Sequence, residues 1–148
     1  MKLLTLLKCI LKISDSCLKE IEKDEPLSKF LHSTDDFNNT SGRIYPSVFK
    51  PSNKYNNISV YRTKKSSEDE IWWIAYIYVT RKRSDKKKMI ARAIITLQNV
   101  LDNGLKFNPD GKPHPRHANI DAWPTDKEEL KDVKVNLANV AELKLKPS

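Results

Sequence analysis

The chain has 148 residues, with 27 Lys or Arg against 19 Asp or Glu, a formal net charge of +8 and only three glycines. That length suits one domain with a core of its own, and no run approaches the roughly 18 apolar residues that a membrane helix needs. The glycines at 42, 104 and 111 cannot write G-x-G-x-x-G, and Gly111-Lys112 runs into Pro113, so Rossmann-type dinucleotide binding and P-loop phosphate binding have no support.

Residues 3–23 read as an amphipathic helix. Leu3, Leu7, Ile10, Cys17 and Ile21 follow a helical repeat, while Thr5, Lys8, Lys12, Asp15, Lys19 and Glu22 take the other side. Lys8 and Lys12 break the apolar start and no small-residue cleavage site follows, which argues against a secretory leader and for a cytoplasmic protein. Asp15, Glu20 and Glu22 dilute the basic face, so the helix is expected to dock on a protein or on a second copy of the chain, with no membrane. Cys9 and Cys17, eight apart, would sit about 12 Å apart along one helix, too far for a disulfide. They read as reduced thiols.

Pro26 stops this helix, and Leu27–His32 is expected to add a short second one. Ser33–Gly42 is a polar loop, and Ile44–Pro51 is expected to be extended, because each residue before a proline is pushed out of the helical region. Ile58–Thr63 alternates and is β-branched, which makes a strand. Ser67 stands three residues before Glu70 in capping-box spacing, so Ile71–Val79 is read as a helix with Ile71, Ile74, Ala75 and Tyr78 on one face. Arg81–Lys88 is a charged turn and Met89–Leu97 a strand. Gln98–Gly104 is a helical turn ended by Gly104. Leu105–Phe107 and Ala118–Trp123 are expected as strands. Thr125 with Glu128 repeats the capping box before a closing helix to about Leu143, with Leu130, Val133, Leu137, Val140 and Ala141 inward. The sum is an α+β fold: an N-terminal helix over 1–24, then one domain over 25–148, with a small, mostly antiparallel sheet between N- and C-terminal helices.

The charge is local. Residues 61–120 carry 13 basic and 6 acidic groups, whereas 1–60 carry 9 and 7, and 121–148 carry 5 and 6. Arg81, Lys82, Arg83, Lys86, Lys87, Lys88 and Arg92 form a run that can neutralise several phosphates of DNA or RNA. A Lys-rich turn is also what an ordinary solvated surface looks like. Trp72, Trp73, Tyr76 and Tyr78 precede it and would stack bases if exposed, but they lie in an apolar run that reads as buried.

A second cluster is Asp110–Asn119, a loop stiffened by Pro113 and Pro115 that holds His114, Arg116 and His117. Histidine titrates near working pH, so His114 or His117 is a candidate acid or base for phosphodiester cleavage, with Arg62 and Arg116 balancing phosphate charge. The competing reading is a rigid turn whose histidines bond to neighbouring backbone. Two histidines three apart, without a helix or a third ligand nearby, make no convincing metal site, and neither metal nor cofactor is expected. Arg43, Tyr45, Lys50 and Arg62 could line a groove, although Tyr45 and Phe49 fit better as core plugs under a covering loop.

Arg43–Phe49 (RIYPSVF), Ile58–Arg62 (ISVYR) and Pro113–Ile120 (PHPRHANI) resemble segments of a set of small uncharacterised bacterial proteins, over about residues 43–123. The resemblance implies a setting in mobile-element or defence gene clusters and carries no catalytic residue across. Three functional readings stay open. The first is a basic accessory protein binding a protein or nucleic-acid partner, in a bacterial defence or toxin–antitoxin system. The second is a small RNase-like enzyme using His114 or His117 with Arg62 and Arg116. The third is a structural subunit docked through residues 3–23.

Overall fold

The computed structural model describes residues 21–148. All but the last three residues of the helix expected over 3–23 lie outside them, as do Cys9, Cys17 and the docking role given to that helix. The strands in chain order are β1 (Pro26–Leu31), β2 (Phe37–Asn38), β3 (Arg43–Ile44), β4 (Ile58–Arg62), β5 (Ala91–Thr96), β6 (Lys106–Asn108), β7 (His117–Asp121) and β8 (Glu142–Leu145). Six of them make one sheet in the order β6-β7-β4-β1-β5-β8, antiparallel at every pairing, and β2 and β3 form a separate ribbon. With α1 (Glu68–Ile74), α2 (Leu97–Asp102) and α3 (Lys127–Val140), this is an α+β fold.

Alternation along the strands divides the core between two faces of the sheet. Leu27, Leu31, Ile58, Val60, Ala91, Ala93, Ile95, Ala118 and Ile120 face Val133, Leu137 and Ala138 of α3, together with Val48 and Phe49. The opposite face sends Phe30 and Tyr61 against Ile71, Trp72, Ile74 and Ala75. Leu137 and Phe49 are fully buried, so truncating either would leave a cavity at the centre of the larger layer.

Four expectations need correction. Residues 27–32 are not a helix: Pro26–Leu31 is β1, inside the sheet between β4 and β5. Its apolar positions 27, 30 and 31 mimic helical spacing because a strand covered on both faces shows no alternation. Pro46–Phe49 winds into a 3-10 turn, with Pro46 at its first position, instead of staying extended. The last helix is capped by Asp126, whose carboxylate accepts from the Glu129 N–H at 3.0 Å, one residue later than Thr125. The Asp126–Glu129 pair has the same spacing as Thr125–Glu128. That helix ends at Val140, which is exposed, and Glu142–Leu145 leaves it to become the edge strand β8.

Candidate active site

The ladder between β1 and β4 joins Leu27 to Arg62 and Ser28 to Tyr61 and then stops. The same register, continued past Lys29 and Val60, would pair Phe30 with Ser59. Both residues instead line an open pocket of about 300 Å³, shared with Lys29, Tyr61, Tyr78, Val79, Lys82, Arg83, Pro113 and His117. The pocket lies on the α1 side of the sheet. Its back comes from β1, β4 and β7, and its rim from a π-helical turn, Ala75–Val79, that continues α1, and from the 3-10 turn Thr80–Lys82.

His117 opens β7 directly opposite Tyr61 of β4. Its Nδ1 lies 2.6 Å from Asp110 Oδ1. A carboxylate oxygen accepts, so in the neutral ring Nδ1 is the donor to Asp110 and the lone pair falls on Nε2. Asp110 is held in turn by Asn119 Nδ2, which donates to Oδ2 at 2.9 Å, and by the Lys112 N–H at 3.3 Å. The loop that returns Asp110 to the ring is closed by the Gly111 N–H donating to the His117 carbonyl at 3.2 Å. Gly111 has a φ of +66°, a conformation that glycine adopts without strain. The Tyr61 ring stands edge-on to His117 at 5.2 Å, and burial, then the Asp110 and Tyr78 charges, push its hydroxyl up to about 12.

Lys82 and Arg83 supply the positive side of the pocket. Lys29 alternates with Phe30 along β1 and so shares the α3 face of Leu27 and Leu31, where burial biases its ammonium toward losing its proton, with Asp36 opposing. Lys82 is exposed at the rim. Arg83 forms a two-point pair with Asp85, at 2.9 and 2.8 Å, that lowers the Asp85 carboxyl. Because Asp85 also accepts from the Lys87 N–H, it organises the turn. Arg81, Lys86, Lys87 and Lys88 project from that turn, all exposed.

The structure separates the four residues proposed for phosphodiester chemistry. His117 lines the pocket. His114 packs its ring against Tyr78 at 5.1 Å, and its Nδ1 accepts from the Arg116 N–H. The Arg116 guanidinium is a clamp, donating to Glu70 at 3.1 Å and to the carbonyls of Arg62 and Lys64. Arg62 donates to the Pro115 carbonyl at 3.2 Å. Both arginines are therefore engaged in holding the loop on β4. Arg92 leaves the nucleic-acid set altogether: it is 4% exposed and bonded to Ser28 and Glu68, both at 2.8 Å. Phe49 is fully buried, whereas half-buried Tyr45 carries the Arg43 guanidinium over its ring and Lys50 is exposed.

No role was assigned from the sequence to Asp110, Tyr61 or Asn119. Only Asp110 carried a readable signal, as the acid that opens the same loop as the histidines. Among the described residues no three His, Cys, Asp or Glu side chains gather in a way that could hold a metal ion, and no helix is long and apolar enough to cross a membrane. Comparison with family models, with curated proteins and with solved structures finds no match to this chain.

Proposed function

We propose that this chain cleaves RNA phosphodiester bonds, with His117 as the general base and the basic turn after the π-helix holding the strand. The observation that carries the reading is the Asp110–His117 pair, 2.6 Å apart, in a pocket that also takes in Lys82 and Arg83. In the proposed step His117 Nε2 takes the proton of a ribose 2′-hydroxyl, and that oxygen attacks the neighbouring phosphorus. The P–O5′ bond breaks, leaving a 2′,3′-cyclic phosphate. The departing 5′-oxygen takes a proton from solvent, which the open pocket admits, and His117 later returns its proton to solvent. Lys82 and Arg83 offset the charge that builds on the phosphoryl oxygens. Asp110 acts through His117 by fixing its tautomer and ring orientation. Such an activity fits the defence or toxin–antitoxin setting that the family resemblance implies.

The test is incubation with single-stranded RNA and with DNA of the same sequence. RNA alone should be cut, with cyclic-phosphate ends. His117→Asn should lower kcat by about 10²–10⁴ while the circular dichroism spectrum stays unchanged. Equal rates for the wild type and His117→Asn, or cleavage of the DNA, would overturn the reading. A second reading, strand binding without cleavage, is favoured by the exposure of Arg81, Lys82, Lys86, Lys87 and Lys88. It survives if binding is retained and no RNA is cut.

A further inference from the structure

Exposed aromatic side chains that continue the wall of a basic pocket narrow the kind of nucleic acid the pocket can take. Ile71–Val79 reads as a buried run, yet Trp73 is 56% and Tyr76 54% exposed. Single exposed hydrophobics are ordinary, but these are not isolated. The Trp73 ring meets Tyr78 edge-on, with centroids 6.3 Å apart, and Tyr78 meets His114 edge-on at 5.1 Å. Tyr78 itself lines the pocket. Trp73 and Tyr78 are five apart in sequence, and the i→i+5 bonding of the π turn brings residues at that spacing onto neighbouring positions. A row of rings therefore runs from His114 at the loop, through Tyr78 in the pocket wall, to Trp73 on the open surface. Cationic Lys82 sits on the same rim, and Arg81, Lys86, Lys87 and Lys88 lie beyond it.

We infer that the pocket is built for a single-stranded chain, with the base beside the scissile phosphate lying against Tyr78 and the next base stacked on Trp73. Successive bases can reach such a row only if they are unpaired and splayed, because a duplex keeps its π faces inside its own stack. The cations alone would accept either form, since phosphate charge is common to both. This inference rests on the proposal that the pocket holds nucleic acid, but not on cleavage taking place there.

The experiment uses single-stranded DNA of about twelve nucleotides, a length within the span such sites cover, which lacks the 2′-hydroxyl and so cannot be cut by the proposed route. Its affinity for the full chain is compared with that of the corresponding duplex by fluorescence anisotropy at low salt. The single strand should bind at least about tenfold more tightly than the duplex. Trp73→Ala should weaken single-strand binding about tenfold while leaving duplex binding unchanged, and Trp73→Phe should restore part of the loss. Trp73 is exposed, so an unchanged melting temperature is expected for both variants. Equal affinity for the two forms, a Trp73→Ala variant that binds as the wild type does, or binding of neither form would overturn the inference. Retained cleavage with an unaffected Trp73→Ala variant removes the stacking row and keeps the enzyme. Stacking without any cleavage removes the enzyme and keeps the row.

Discussion

The His114 imidazole does a job usually given to asparagine. Its Nδ1 accepts from the N–H two residues on, at 3.1 Å, as an Asx side chain does in a turn. That bond needs an unprotonated Nδ1. Burial first, then the Arg116 charge, hold the imidazole below its ordinary range, with Glu70 opposing. Between the folded value and the ordinary value of about 6.5, the unfolded chain binds the extra proton, so stability present above that pH is lost as pH falls. His114→Asn keeps the acceptor and removes the titration. The drop in melting temperature between pH 7 and pH 5 should therefore be smaller in His114→Asn than in the wild type, and an equal drop would show that His114 does not contribute. At this scale the sequence brought out His114, Arg116 and His117 because loop, proline and charge stand together there. It did not reveal that His117 faces Tyr61 or that Arg92 turns inward, since both facts arise from strand pairings between distant segments.

At the scale of elements, Arg92 joins three of them. From β5 it donates to Ser28 on β1 and to Glu68 at the start of α1, and Glu68 also receives Lys144 of β8 at 2.9 Å and the Trp72 indole N–H at 2.9 Å. Arg92→Ala should destabilise the chain by about 1–3 kcal/mol in urea unfolding, less than a fully buried pair because Glu68 keeps solvent and its other partners. Its nucleic-acid affinity at low salt should stay as it was. A selective loss of affinity without loss of stability would return Arg92 to the binding surface. The helices were the more legible elements: the capping signals before residues 68 and 127 placed the starts of α1 and α3 to within a residue or so, while the end of α3 was carried about three residues too far. The sheet was less legible. β1 lost its alternation by being covered on both faces, and Glu142–Leu145, a short edge strand, was absorbed into the tail of the preceding helix.

For the molecule as a whole, the +8 charge resolves into an exposed part and a structural part. Arg92, Arg62 and Arg116 are engaged inside the fold, whereas Lys86, Lys87 and Lys88 project from a turn that adjoins the pocket rim. Replacing those three lysines with glutamate should weaken single-strand binding and lower the slope of log affinity against log salt by about 2, the change expected for three lost phosphate contacts. An unchanged slope would show that the turn is only a solvated surface.

The pocket exists because the β1–β4 ladder ends after Ser28 and Tyr61. The Phe30 and Ser59 main chains that flank the opening have no ladder partner there, so part of the wall presents amide N–H and carbonyl groups as well as side chains. Those groups are common to every residue type. If the pocket takes a nucleic-acid strand as proposed, substitution at Tyr78 or Lys82 retunes which strand is accepted, while the contacts offered by the wall persist through any mutation that leaves the sheet intact. The wall of the pocket is thus divided between a part that point mutation can change and a part that only a change of fold can.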